Sequence, residues 1–157
     1  MKIDIIFDTV CPWCFIGKKR LEMALAARPH IQVKQNWKPF LLNPEMPPGG
    51  IDQTAYLIKK FGSQARINHM YGTLDEAGQS VEIDFAFDRI SKTPNSISSH
   101  RLLLYAGRHG PVDSVVEALF VEFFINGRDI GDLRVLTEIG AANGLDAQEV
   151  EAYLNTD

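Results

Sequence analysis

Apolar and polar positions alternate at the start of the chain. Ile3, Ile5 and Phe7 share one side of an extended segment, which predicts a β-strand with at least one buried face. From Cys14 onward the spacing becomes helical, and the predicted helix ends near residues 28–29. Its stripe of small or apolar positions comprises Cys14, Gly17, Leu21, Ala24 and Leu25.

A second alternating segment, residues 31–37, predicts another strand. A strand–helix–strand unit of this kind favours parallel pairing through a right-handed crossover. Residues 38–50 carry four of the eight prolines and two glycines, which predicts a non-helical loop along one edge of the unit. The chain therefore begins as an α/β protein.

After residue 52 the pattern becomes helical. It predicts one helix up to Gly62 and others over about 64–79, 97–108, 112–125 and 133–143, with a last one ending near residue 154. Residues 81–90 alternate and are expected to be extended. Asp132 and Asp146 are expected to cap the last two helices. We therefore divide the chain into residues 1–51, the α/β start, and residues 52–157, an inserted helical domain.

Composition and charge exclude several functions. The 157 residues are 45% hydrophobic, which is enough for a real core. The net charge is −4 and the longest basic run is Lys18-Lys19-Arg20, so no nucleic-acid partner is expected. The start of the chain does not fit a signal peptide, and no apolar run approaches the roughly 18 residues of a membrane helix. We therefore expect a soluble cytoplasmic protein with no membrane partner.

The chemistry centres on the sequence CPWC, which contains the only two cysteines, Cys11 and Cys14. Structural zinc needs four ligands, but the four histidines lie too far apart in the sequence to complete a site. Haem attachment requires a histidine after the second cysteine, where this chain has Phe15. In a reducing compartment such a pair is more often catalytic or redox-sensing than a structural disulfide. No metal is expected.

The position of the pair favours redox chemistry. Cys11 comes where the strand hands over to the helix, and Pro12 suits the first helical position. The N-terminal end of a helix stabilises a thiolate, so the pKa of Cys11 should lie below the free value of about 8.5. Cys14 lies one turn further and faces the core, so it should be the less exposed, resolving thiol.

The neighbouring side chains allow two interpretations each. Asp8 is either a proton acceptor for a thiol or, more simply, a turn residue, and Trp13 either offers a flat surface to substrates or packs against residues 40–50. Lys18 and its neighbour Lys19 either add to the positive field or form a solvated helix face. His100 and the second histidine of that region, His109, are expected to be surface or capping residues without a catalytic role.

Four segments together resemble the DsbA-like thioredoxin-fold oxidoreductases of the FrnE type. They are MKIDIIFDTVCPWCFIG, WKPFLLNPEMPPGG, PNSISSHRLLLYAGRHG and ALFVEFFINGRDIGD. The resemblance implies a thioredoxin fold interrupted after β-α-β by helices, with thiol–disulfide oxidoreductase or isomerase activity. It makes Cys11 the attacking cysteine and Cys14 the resolving one, with Pro12 and Trp13 as the dipeptide that tunes the pair.

Members of that family continue into a β-hairpin and helix, whose cis-proline loop lies against the cysteines. The sequence stops at Asp157, so the C-terminal ββα half is expected to be missing from this chain. A two-stranded sheet would then expose an unpaired edge, which favours association into a homo-oligomer.

Two other functions stay open from the sequence. The related 2-hydroxychromene-2-carboxylate isomerases and kappa-class glutathione transferases use bound glutathione, but they generally carry serine where this chain has Cys11. A partner-binding protein on the same fold would need neither cysteine. Thiol or disulfide substrates, from proteins or small molecules, fit the pair best. No cofactor is required, and glutathione is the candidate redox partner.

Overall fold

The computed structural model describes residues 1–156 and begins with the predicted β-α-β unit. Strand β1 (Lys2–Phe7) and strand β2 (Lys34–Pro39) flank helix α1 (Pro12–Ala26). The strands are parallel, and Ile5 lies opposite Trp37. The parallel pairing predicted from the sequence is confirmed.

Strand β2 starts three residues later than the alternation of residues 31–37 predicts. Its position is set by its partner, because the Lys34 N–H donates to the Met1 carbonyl at the very start of β1. At the other end, the Phe40 N–H donates to the Phe7 carbonyl, which carries the pairing into residues assigned to the loop. The register of β2 is set by its pairing with β1, and the alternation within residues 31–37 carries no information on that pairing.

Six helices follow, close to their predicted positions: α2 (Gln53–Phe61), α3 (Gln64–Gln79), α4 (Ile97–Ala106), α5 (Asp113–Phe124), α6 (Leu133–Ala142) and α7 (Ala147–Leu154). The predicted caps are confirmed: Asp132 accepts from the N–H groups of residues 134 and 135, and Asp146 accepts from that of Glu149. Helix α2 ends at Gly62, which has a left-handed φ of 86°. No helix within residues 1–156 is long and apolar enough to cross a membrane.

The prediction of an extended segment over 81–90 is wrong. Val81 and Ile83 are buried while Glu82 and Asp84 are exposed, so the alternation is real, but it belongs to a loop that dips into the core. The N–H of Ile83 donates to the Gly78 carbonyl at the end of α3, and residues 87–89 form a 3₁₀ turn. The Ala86 N–H donates to the Phe124 carbonyl at the end of α5, and the segment pairs with no strand within residues 1–156.

A short antiparallel pair was not predicted. Strand β3 (Ile51–Asp52) lies beside strand β4 (Lys92–Thr93), and two residues are too few to show a period. Gly50 precedes β3 with a φ of 74°, and a Cβ there would lie 2.6 Å from the Thr93 carbonyl oxygen. The proline-rich loop is thereby tied to the segment before α4.

One hydrophobic core joins the two parts of the chain. The ring of Phe15 on α1 stacks on Phe120 of α5 with centroids 5.0 Å apart, and Phe7 of β1 meets Phe120 edge-on at 6.0 Å. The helix that begins with the CPWC segment therefore contacts both parts of the chain. The division at residue 51 falls within β3 and stays a prediction.

Candidate active site

The two cysteines open helix α1 at the end of β1. Cys11 is the N-cap residue, and its N–H donates to the Asp8 carbonyl at 3.1 Å. Pro12 occupies the start of the helix, where a missing N–H costs nothing. The Cys14 N–H points at the Cys11 sulfur, with nitrogen and Sγ 3.3 Å apart. The local geometry is the one the sequence predicts.

The surroundings move the two thiol pKa values apart. The Cys14 thiol hydrogen bond lowers the pKa of Cys11 most, and the N–H groups of Cys14 and Trp13 add to it. They outweigh burial and the Asp8 charge, so the pKa of Cys11 falls from 9.0 to about 7. The pKa of Cys14 is raised, first by its hydrogen bond to Cys11 and then by burial. Cys11 therefore carries the thiolate while Cys14 keeps its proton.

Exposure does not separate the two cysteines, because both are free thiols of intermediate exposure. The prediction that Cys14 is the less exposed of the two is therefore not confirmed. Cys14 does pack against the hydrophobic core. The predicted core-facing stripe is wrong as a whole, because Gly17 and Ala24 are exposed and the buried residues of α1 are Phe15, Ile16 and Lys18. Hydrogen bonding, more than access, distinguishes the pair.

A pocket of about 360 Å³ opens beside Cys11, within the range of small-molecule sites. The CPWC segment forms one wall, and helices α2, α3 and α5 together with residues 87–93 form the others. Trp13 lies at this pocket with 49% of its surface exposed. The indole is therefore accessible beside Cys11, and its contact with substrates stays a prediction.

Behind the cysteines, Asp8 forms a buried pair with His100. One carboxylate oxygen of Asp8 lies 3.2 Å from His100 Nε2, and the other accepts the Leu42 N–H at 2.8 Å. Burial alone would raise the pKa of Asp8. The hydrogen bonds from His100, the Leu42 backbone and Ser96 more than offset it and lower the pKa. Asp8 is thus a buried, negatively charged side chain close to both sulfurs.

The prediction that His100 lies at the surface or caps a helix is wrong. His100 is only 5% exposed and meets the Phe7 ring edge-on at 5.4 Å. The helical pattern around His100 is ambiguous, because the residue three positions on, Leu103, is buried while those four and seven positions on are exposed. His109, by contrast, is exposed as predicted.

The interpretation of Lys18 as part of a solvated helix face is also wrong. It is 5% exposed, and its Nζ lies 2.6 Å from Glu117 Oε2 on α5. Glu22, one turn further along α1, is its second partner. The ion pair joins α1 to α5 below the cysteines, so Lys18 is a structural residue. Within residues 1–156, no group of three or more His, Cys, Asp or Glu side chains is placed to hold a metal ion.

Comparison with known proteins places this geometry in a family. The model of the DSBA-like thioredoxin domain matches residues 2–157. A probable DsbA oxidoreductase from Streptomyces coelicolor is 30% identical and superposes with a TM-score of 0.89, covering 99% of this chain and 68% of the other. The Bacillus subtilis protein YwbO is 26% identical over 154 residues, which are 98% of this chain and 72% of YwbO.

A more distant structure shares the fold. The cytosolic disulfide reductase DsbM from Pseudomonas aeruginosa, solved with GSH, is 18% identical with a TM-score of 0.68, covering 99% of this chain and 72% of DsbM. Nearly the whole chain thus matches in sequence and in structure. The chain belongs to the DsbA-like thioredoxin domain family.

Proposed function

We propose that the protein is a thiol–disulfide oxidoreductase or isomerase that works through Cys11 and Cys14. The observation that carries the proposal is the N-cap position of Cys11, where the Cys14 N–H lies 3.3 Å from its sulfur. With a pKa of about 7, half of Cys11 is thiolate at neutral pH. A thiolate is the attacking species in disulfide exchange.

The reducing direction takes two exchange steps. The Cys11 thiolate attacks one sulfur of a substrate disulfide, forms a mixed disulfide and releases the other substrate sulfur as a thiolate. Cys14 loses its proton and attacks Cys11 Sγ, which releases the second thiolate and closes the Cys11–Cys14 disulfide. The protein loses two electrons and the substrate gains them, and protons pass to the released thiolates. The oxidising direction is the reverse sequence.

Substrates and partners follow from this chemistry. We propose protein or glutathione-like thiols and disulfides as substrates, and glutathione as the redox partner that resets the pair, with no metal or organic cofactor. A cytoplasmic location agrees with the name of one fold relative, a cytosolic disulfide reductase. Among residues 1–156, β1 is paired with β2 alone, so its other edge supports the proposed association of copies.

A redox titration tests the proposal. The wild-type protein is equilibrated with defined ratios of reduced and oxidised glutathione, and free thiols are counted. We expect a reversible two-electron transition between about −120 and −270 mV, the span of known exchange catalysts. Cys14→Ala should instead stop at a glutathione adduct on Cys11, seen by mass spectrometry, and Cys11→Ala should show no transition.

Two outcomes would overturn the oxidoreductase assignment. One is a pair that never closes. The other is a pair that closes but does not reopen in excess reduced glutathione. Tight glutathione binding without thiol exchange would then favour the glutathione-dependent isomerase or transferase chemistry.

A further inference from the structure

The walls of the pocket beside Cys11 are mainly apolar, and seven of the lining side chains are aromatic. These are Trp13, Tyr56, Phe61, Tyr71, Phe87, Phe123 and Phe124. Tyr71 and Phe87 stack face to face with centroids 4.3 Å apart and planes 11° from parallel. These two rings come from different elements, α3 and the 3₁₀ turn. Aromatic side chains favour stacked or edge-to-face contacts with another ring, so a wall rich in rings favours an aromatic ligand over a flexible aliphatic chain.

One cation lies in this lining. Within residues 1–156, Lys60 is the only charged side chain that lines the pocket. Its Nζ lies 3.3 Å from the Tyr56 hydroxyl and 5.5 Å from the centre of the Tyr56 ring. Tyr56 in turn donates to Asn43 Oδ1 at 2.8 Å. The Lys60 ammonium is thus held beside the Tyr56 ring, and Tyr56 is held by its hydrogen bond to Asn43 of the proline-rich loop.

The other polar side chains of the pocket are hydrogen-bonded to one another. Gln53 accepts from the Thr93 hydroxyl and donates to the Tyr71 hydroxyl at 3.4 Å. An ammonium has three donors, and Lys60 directs one of them at Tyr56. The pocket therefore offers a ligand aromatic rings and a single positive group, and no Asp or Glu within residues 1–156 lines it.

We propose that the pocket selects small aromatic disulfides, or their thiols, that carry a carboxylate. The aromatic ring packs against the Tyr71 and Phe87 rings, the carboxylate pairs with Lys60, and the disulfide sulfur lies at Cys11. This assignment rests on the proposed function and adds to it the substrate class. The Cys11 thiolate attacks the sulfur attached to the bound ring and expels the other aromatic thiolate. Cys14 then displaces the bound one and leaves the Cys11–Cys14 disulfide.

The test compares three disulfides in single turnovers of the pre-reduced full chain. They are 5,5′-dithiobis(2-nitrobenzoate), which is aromatic and anionic, 4,4′-dithiodipyridine, which is aromatic and uncharged, and 3,3′-dithiodipropionate, which is aliphatic and anionic. Each rate is divided by the rate of the same disulfide with 2-mercaptoethanol, a small thiol without a carboxylate, which corrects for intrinsic reactivity. We expect the normalised rate to be highest for the aromatic anion.

Lys60→Gln isolates the charge, and Lys59→Gln is the matched control because the adjacent exposed lysine does not line the pocket. An exposed ion pair supports about a fivefold effect, so Lys60→Gln should slow the aromatic anion by about that factor. The dithiodipyridine rate should be unchanged. Lys59→Gln should leave every rate as in the wild type, and 1 M salt should reduce the Lys60 effect.

The outcomes distinguish failure of the proposed substrate class from failure of the proposed thiol–disulfide exchange. Equal normalised rates for the three disulfides would overturn the substrate class while leaving exchange at Cys11 intact, and so would equal effects of the two lysine substitutions. Failure of all three disulfides to react with Cys11 would instead overturn the proposed function itself. Equal alkylation by uncharged iodoacetamide in the wild type and Lys60→Gln is the expected result that excludes a change in Cys11 itself.

Discussion

Replacing Cys14 tests how this site activates Cys11. The Cys14 thiol makes the largest contribution to lowering the Cys11 pKa from 9.0 to about 7, and the whole shift is worth about 3 kcal/mol in favour of the thiolate. Cys14→Ala removes that donor but leaves the backbone N–H of residue 14, 3.3 Å from the sulfur. The pKa of Cys11 in the variant should therefore rise to a value between these two.

The higher Cys11 pKa in Cys14→Ala has opposite effects on the reaction rate at low and at high pH. At pH 7 the thiolate fraction at a pKa of 9.0 is about fiftyfold smaller than at 7, but a more basic thiolate is up to about tenfold more nucleophilic. The net loss of rate for Cys14→Ala is therefore at most about eightfold at pH 7. Near pH 10, where Cys11 is ionised in both proteins, the variant should react faster by up to about tenfold.

The assay is the initial rate with 4,4′-dithiodipyridine from pH 6 to 10, read as thiopyridone release. Wild type should show a midpoint near 7, and its profile should cross that of Cys14→Ala. Cys14→Ser keeps a hydroxyl donor and should fall between the two. If the midpoint of Cys14→Ala equals that of the wild type, or lies below it, the Cys14 thiol is not what lowers the Cys11 pKa.

Two predictions concern the free energy of unfolding and test the His100–Asp8 pair and the Gly127–Arg89 contact. His100→Ala leaves the buried Asp8 without its partner and should cost about 3 kcal/mol of unfolding free energy at pH 7, whereas His100→Gln, which keeps a donor near the Nε2 position, should cost less. Because the pKa of Asp8 is lowered in the fold, this contribution is complete above the unfolded pKa and is lost as pH falls through the lower folded pKa. Urea unfolding curves of wild type and His100→Ala should therefore converge as pH falls below the usual range of an Asp carboxyl; a difference independent of pH would contradict the pairing. Gly127→Ala should destabilise more than Gly144→Ala, since both glycines have left-handed φ values, 69° and 87°, but only at Gly127 would a Cβ lie 2.5 Å from the Arg89 carbonyl oxygen. At either position, alanine in a left-handed conformation costs about 1–2 kcal/mol of stability. Equal melting temperatures for the two variants would show that the Arg89 carbonyl moves aside without further loss of stability.

The sequence by itself determined the local features of this protein. Helix positions, the N-caps at Asp132 and Asp146 and the start of α1 at Cys11 follow from patterns within a few residues. Helical hydrogen bonds and caps join groups four residues apart or fewer, so the residues that decide them are adjacent in the sequence. For the same reason, the order of Cys11, Pro12 and Cys14 predicted a lowered Cys11 pKa.

The tertiary structure decided everything that depends on distant partners. His100 pairs with Asp8 across 92 positions, and Lys18 meets Glu117 across 99. In each case a polar residue within a helix pattern has the same sequence signature whether its side chain faces solvent or a buried counter-charge. The start of β2 depended in the same way on pairing with β1.

The pocket beside Cys11 belongs to this second class. Lys60 and Tyr71 lie on different helices, and nothing in the spacing of either helix relates it to the CPWC segment. Packing of α3 against α1 and of α2 against α3 brings a cation and aromatic rings to the pocket beside the sulfur. The sequence thus identified the atom that we propose to react. The packing of separate elements decided what surrounds it, because burial and charge pairing act through space between elements that no local pattern connects.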